Sequence, residues 1–240
     1  MGWVIDTLRP SVFTEVEKSS FLRNIGVGEK IVIPSYCWLL RNGERTILVD
    51  TSFRMDHEPQ YGFRCTGDPT TGLLAGLAEL DVEPGGIDTV ILTHLHFDHA
   101  GNLGLFPNAR FVVQRVELHT AAVPDYAALY YRPDVIELLS DLWPRVDVVD
   151  RELELLPGLE LELVGGHSEG SQLIRVASER HGTVVLAGDL LGLYEHYEHP
   201  TPNVVNLPQA LRQLARLKRE PGIVIAGHDP RVWDEYRRID

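Results

Sequence analysis

Four side chains able to bind a metal fall within six residues of this chain: His94, His96, Asp98 and His99, in the run Thr93-His94-Leu95-His96-Phe97-Asp98-His99. Imidazole and carboxylate together suit zinc, with iron or manganese as alternatives, whereas calcium or magnesium would call for an oxygen-only shell. His94 and His96, two apart on an extended segment, can point to the same side and hold one ion. As the chain turns, Asp98 and His99 can face a second ion close by. His167, Asp189 and His228 supply the remaining protein ligands of two divalent ions if the Asp189 carboxylate bridges them, and a shared hydroxide would complete both shells.

A lone histidine after a strand is more often a surface or core residue than a ligand, so the other five histidines are weighed separately. His119 on an expected helix and His181 in an expected hairpin turn are read as solvated. His57, His196 and His199 lie in segments that could border the site.

The elements that must position these groups are visible as four apolar runs, each ending in a ligand type. They are Val90-Ile91-Leu92-Thr93-His94, Leu161 to His167, Val184 to Asp189 and Ile223 to His228. If all four strands run to one edge, their ends converge on one site. Glycines precede three of the ligands, at Gly165-Gly166, Gly188 and Gly227, where a crowded centre needs tight backbone turns. Upstream, Ile31 to Leu40 and Thr46 to Val49 read as a hairpin around Asn42-Gly43. Residues 51–71 have no clear period and read as a long loop of the kind that serves as a lid. Helices are expected at Leu73 to Leu80, Val116 to Ala122, Pro133 to Leu142 and about Pro208 to Lys218, the last capped by Asn206. Strands are expected at Phe111-Val112-Val113, Val146 to Val149, Leu153 to Leu155, Leu159 to Leu163, Gln172 to Val176 and Thr183 to Ala187.

The 240 residues carry 44% apolar and 24% charged residues, ordinary globular usage that argues against disorder. No composition shift marks a boundary, so one domain spanning 1–240 is expected. The formal charge of −13 disfavours nucleic acid and anionic membranes as partners, because neutralising phosphates takes clustered Lys and Arg. Two cysteines, Cys37 and Cys65, exclude a disulfide framework and fit a reducing compartment. The first residues lack the basic and long apolar regions of a signal peptide, and no run of eighteen apolar residues occurs. A cytoplasmic, soluble protein is expected, its oligomeric state open and a dimer allowed.

In Thr93-His94-Leu95-His96-Phe97-Asp98-His99-Ala100-Gly101, Gly166-His167-Ser168-Glu169-Gly170-Ser171, Gly188-Asp189, Gly227-His228 and Leu48-Val49-Asp50-Thr51 the chain resembles the metallo-β-lactamase superfamily. The match spans nearly the whole chain in the family's order. Its length, the Tyr36-Cys37-Trp38-Leu39-Leu40 strand, the His-Leu-His-Phe-Asp-His wording and the last ligand make it most similar to the N-acyl-homoserine lactonase-like branch. The resemblance implies an α/β, four-layer αββα sandwich. It also implies one metal on His94, His96 and His167, a second on Asp98, His99 and His228, and Asp189 between them. Two departures stand out. Ser52 follows Asp50-Thr51 where the family usually has Gly. The branch's substrate-contacting tyrosine, shortly after the bridging Asp, has two candidates here, Tyr194 and Tyr197, of which Tyr194 is favoured.

The expected activity is hydrolysis of a small-molecule lactone or similar cyclic ester by a metal-bridging hydroxide. Asp98 would carry a proton to the leaving group, and Tyr194 would donate a hydrogen bond to the substrate. Competing enzyme readings are a thioesterase of glyoxalase II type, a β-lactam or amide hydrolase and a phosphodiesterase; a non-catalytic metal-binding module is the reading from another class. Pocket walls are expected from Phe53, Met55, Tyr61 and Phe63 and from the loop Tyr126 to Tyr131.

Overall fold

The structure, a computed structural model, describes residues 2–56, 64–123 and 130–240. The first sheet contains β1 (Val4–Glu17), β2 (Lys30–Arg41), β3 (Thr46–Val49), β4 (Arg64–Cys65), β5 (Thr89–Ile91), β6 (Arg110–Gln114) and β7 (Val146–Val149). The second contains β8 (Glu152–Leu156), β9 (Leu159–Leu163), β10 (Gln172–Ser178), β11 (Gly182–Leu186) and β12 (Ile223–Ile225). A last strand, β13 (Arg238–Ile239), returns to pair with β1. The sheet orders are β13-β1-β2-β3-β5-β6-β7, with β4 on β1, and β12-β11-β10-β9-β8.

Alternation along the central strands of the first sheet builds two cores at once. Tyr36, Trp38 and Leu40, Ile47 and Val49, Ile91 and Val112 face the second sheet and pack with Leu161, Ile174, Val184 and Leu186. Their neighbours Cys37 and Leu39, Leu48, Val90, Phe111 and Val113 face outward, onto α1 (Pro69–Glu79) and α3 (Pro133–Asp141) through Leu73, Leu77, Val135 and Leu139. A strand buried on both faces reads as a continuous apolar run, which is how these appear. α2 (Arg115–Ala122) follows β6, and α4 (Leu207–Leu217) covers the far side of the second sheet with Ala210, Leu214 and Leu217. α5 (Arg231–Glu235) is one short turn near the end. The layering is the expected αββα. No helix among the described residues is long and apolar enough to cross a membrane.

The expected helices lie where the patterns put them, with ends shifted by capping. α1 begins four residues early because the Asp68 carboxylate accepts the Thr71 N–H and Pro69 opens the helix. Asn206 caps α4 by accepting the Gln209 N–H. In the β2–β3 hairpin only Gly43 has positive φ, +88°; the Asn42 Oδ1 instead accepts from the Glu44 and Arg45 N–H groups. The long β1 has no counterpart among the expected strands. It pairs along β2 with two register breaks, and those bulges interrupt the alternation that would betray it. Within 51–71, β4 and the start of α1 are ordered elements, while 57–63, with His57, Tyr61 and Phe63, lie outside the described residues, as do 124–129.

Candidate metal centre

Strand direction explains the convergence. β9 and β11 each run antiparallel to β10, and β12 runs parallel to β11, so β9, β11 and β12 all end at the same edge. The segments after them carry His167, Asp189 and His228. β5, in the facing sheet, delivers His94 to the same place. Close approach needs glycine here: a Cβ on Gly227 would sit 2.6 Å from the Gly188 carbonyl oxygen, and Gly166 has a φ of +93°.

The donors fall into two groups, His94, His96 and His167 in one and Asp98, His99, Asp189 and His228 in the other. Within each group one potential ligand atom per residue lies within 4.8 Å of all the others. In the first, His94 Nε2 and His167 Nε2 are each 3.0 Å from His96 Nδ1. In the second, Asp189 Oδ1 is 2.9 Å from His228 Nε2 and 3.1 Å from His99 Nε2, while Asp98 Oδ2 is 3.8 and 3.7 Å from the same nitrogens. The other Asp189 oxygen, Oδ2, is 3.4 Å from His167 Nε2. Asp189 therefore turns one oxygen to each group, the geometry a bridging carboxylate requires.

Partners behind the rings decide which nitrogens carry lone pairs inward. His167 Nδ1–H donates to the Asn203 carbonyl and His228 Nδ1–H to the Pro34 carbonyl, both at 2.7 Å. His99 Nδ1–H donates to Asp50 Oδ2 at 2.7 Å, and Asp50 also accepts the Thr93 N–H and hydroxyl. Each bond leaves Nε2 as the inward acceptor, the arrangement metal-bound histidines use. Three imidazole nitrogens aimed at one another need a cation between them. His99 Nε2 and Asp189 Oδ1 are buried without a hydrogen-bond partner among the described residues, a cost that a shared cation removes. The residues present thus fit a pair of divalent ions.

The electrostatics of the two groups differ. Burial, then the neighbouring imidazoles, holds His94 and His96 well below the ordinary histidine pKa, and burial lowers His167 too. Burial is the largest influence on His99 and His228 as well and opposes charge there, but the carboxylates of Asp189 and Asp98, joined at His99 by Asp50, together outweigh it and raise both. The same histidines hold Asp189 well below the ordinary carboxylate range against its own burial.

A cavity of about 90 Å³ opens beside the donors, lined by Phe21, Phe97, Asp98, Tyr130, Gly192 and Asn203 among others. Tyr130 is the aromatic residue of interest. Its ring lies 5.4 Å from His96 and stacks 6.5 Å from Phe97. Burial and then the carboxylates of Asp98 and Asp189 raise its pKa, so the phenol keeps its proton. Tyr194, the favoured sequence candidate, corrects differently. Its hydroxyl donates to the Val224 carbonyl at 2.9 Å and Arg231 lies over its ring, so the group is turned away from the cavity. Tyr197 packs into the core with Lys218 over its ring and does not line the cavity either. After Asp189 the cavity wall is formed by Gly192 and His196 rather than by a tyrosine.

Of the remaining histidines, His196 borders the cavity, its Nδ1 accepting the Leu193 N–H and its Nε2–H donating to the Phe21 carbonyl. His119, His181 and His199 are exposed. Phe53 is buried against Phe13 and Phe97, and Met55 is exposed. Ser52 takes a φ of +57°, a left-handed conformation that favours glycine, and its hydroxyl bonds Ser35 at 2.8 Å. Sequence reasoning missed the carbonyls of Pro34 and Asn203, which leave no side-chain signal, and the cavity residue Phe21, which precedes every motif.

The sequence profile of the Metallo-beta-lactamase superfamily matches residues 31–236. An N-acyl homoserine lactonase of Bacillus thuringiensis is 30% identical over 245 residues, 92% of this chain and 94% of its own length. An N-acyl homoserine lactonase of Azorhizobium caulinodans is 31% identical over 180 residues, 70% of this chain and 67% of its own. A solved N-acyl homoserine lactone hydrolase, with the product N-hexanoyl-L-homoserine at its catalytic metal center, superposes with a TM-score of 0.82 at 25% identity, covering 98% of this chain and 96% of that one. With these likenesses spanning strands, ligand loops and closing helix alike, the chain belongs to the metallo-beta-lactamase superfamily, in its N-acyl homoserine lactonase-like branch.

Proposed function

We propose that this protein is a metal-dependent hydrolase that opens N-acyl homoserine lactones or closely similar cyclic esters. The observation that carries the reading is the doubled donor set, joined by Asp189, at the floor of a narrow, aromatic-walled cavity. Relatives matched over nearly their full length are N-acyl homoserine lactonases, which supports the substrate class. His94, His96 and His167 would hold one ion and Asp98, His99 and His228 the other, with Asp189 shared. Five imidazole nitrogens beside two carboxylates suit zinc, ahead of iron or manganese. When bound, such a pair supplies Lewis acidity toward a carbonyl and lowers the pKa of water toward neutrality.

The chain's own groups do the rest. Phe21, Phe97 and the Tyr130 ring exclude bulk water and hold the apolar part of a substrate. The Tyr130 hydroxyl, beside Asp98 and Asp189, donates a hydrogen bond to the substrate carbonyl or amide, the task assigned from sequence to Tyr194. Asp98, 15% exposed at the cavity edge, is the carboxylate able to carry a proton to the leaving alkoxide. Packing of both sheets into one core supports a single domain over 1–240, and two free cysteines suit a reducing, cytoplasmic setting.

The test is a panel of N-acyl homoserine lactones, simple lactones, a glutathione thioester and a β-lactam, assayed on metal-quantified protein before and after chelation. Expected is turnover fastest on the acyl homoserine lactones, lost on chelation and restored by the added ion. Full activity in metal-free protein, or preference for the thioester or lactam, would overturn it.

A further inference from the structure

Glu117 is a buried acid that the reaction above does not use. It sits in the first turn of α2, 1% exposed, and both carboxylate oxygens are saturated. Oε1 accepts the Leu95 N–H at 2.8 Å and the Tyr131 hydroxyl at 3.0 Å. Oε2 accepts the Ser168 hydroxyl at 2.7 Å and the Gly170 N–H at 2.9 Å. Burial pushes its pKa above the ordinary carboxylate value, but two of the four donors are backbone N–H groups that cannot accept a proton in return, one on each oxygen, and these favour the carboxylate form.

The identity of those donors gives the acid a role. Leu95 stands between His94 and His96, and Ser168 follows His167. The two backbone segments that carry the three-histidine group are therefore tied to a single side chain from a third element. The tie is close. A Cβ on Gly170 would meet the Glu117 Cβ at 2.2 Å and its Cα at 2.5 Å, so the loop after His167 rests directly on the helix. The other donor group does not touch Glu117; its buried anion is Asp50, bonded to His99.

We infer that Glu117 is a positioning residue dedicated to the three-histidine subsite, setting the spacing of His94 and His96 against His167 and placing an anion behind three neutral ligands. The inference rests on the two-metal reading. It makes an uneven prediction: loss of Glu117 weakens one metal and spares the other. Glutamine is the sharp substitution, because its amide can satisfy only one side. Whichever way it is turned, its NH₂ faces either the Leu95 or the Gly170 N–H, and neither backbone donor can rotate away.

The experiment is a competitive titration of zinc against a chelator on purified wild-type and Glu117→Gln protein, with folding checked by circular dichroism. Wild type is expected to bind two zinc ions per chain. Glu117→Gln is expected to lose about 10–100-fold in affinity for one ion, as outer-shell partners of ligands do, and to keep the other within about threefold. Ser168→Ala and Tyr131→Phe, each removing one donor, should weaken the same ion by less and serve in place of Glu117→Gln if that variant does not fold. Glu117→Asp, which keeps the charge, should recover part of the affinity. Wild-type chains that bind no zinc would overturn the two-metal reading. Two ions bound to wild type, with either unchanged or equal losses in the variants, would overturn the role of Glu117 alone.

Discussion

The two donor groups share one carboxylate and one cavity yet are built on opposite principles. His94, His96 and His167 are neutral rings, pushed away from protonation by burial, with no carboxylate of their own. The group of Asp98, His99, Asp189 and His228 is rich in charge, and its histidines are drawn toward protonation by Asp189. A charge-poor site depends on exact placement of lone pairs, which Glu117 and the Asn203 carbonyl provide. A charge-rich site attracts a cation from its Coulomb field and tolerates small displacements. The contrast teaches that the first group is broken by moving backbone and the second by removing charge.

Asp189→Asn strikes where the principles meet, since that carboxylate faces both groups. Activity on the preferred lactone is expected to fall by more than about a thousandfold, with metal content below two per chain. Measuring both together is decisive. A variant that kept two tightly held ions and near-normal turnover would show that the groups are independent and the bridge incidental.

His196 sharpens the contrast from outside, as a buried imidazole beside both groups whose two nitrogens are already spent on Leu193 and Phe21. Burial pushes its pKa down to about 4. The folded value lies below the unfolded one, so the unfolded chain takes up the proton first. This contribution to stability is complete above about pH 6.5 and is lost as pH falls toward about 4, an amount on the order of 3 kcal/mol. In urea melts of metal-stripped protein, His196→Gln should show a shallower fall than wild type across that window. Parallel profiles would mean that the ring titrates as an exposed histidine does.

Asp50→Asn is the counterpart of Glu117→Gln on the charge-rich side. It removes the anion that orients His99 and should cost about 10–100-fold in affinity for one ion, this time the one held with Asp98 and His228. If both substitutions weaken the same ion, the division of labour between the two buried acids is wrong.

The difference between the groups also marks what was legible in the sequence. The seven candidate donors stood out because four of them close apolar runs and the other three crowd in directly after His94, and β-strands running to a common edge leave that trace. The layer order came from the family resemblance, and the doubly apolar central strands agree with it. The long β1 did not stand out, since its bulges break the alternation. The supporting partners were hidden for a physical reason. The Pro34 and Asn203 carbonyls are backbone atoms, which any residue would offer, and Glu117 is one acid in an ordinary helix turn until the fold brings Leu95 and Gly170 against it. The substrate side was least legible. A tyrosine near Asp189 was expected in the cavity, but the chain passes Gly192 there and spends Tyr194 on the core.

That last point yields the smallest and most discriminating effect, in a pair of phenylalanine substitutions. Tyr194→Phe removes a hydroxyl that satisfies the Val224 carbonyl, so it should cost about 1 kcal/mol of stability and leave kcat/KM within about twofold. Tyr130→Phe keeps the ring against Phe97 and His96 but takes a donor from the cavity, so kcat should fall about tenfold with metal content unchanged. Steady-state kinetics on one acyl homoserine lactone, alongside denaturant melts, separates the two. A kinetic loss at Tyr194 and none at Tyr130 would return the substrate contact to the residue the family pattern favoured, and would require the segment from Gly192 to Tyr197 to rearrange when substrate binds.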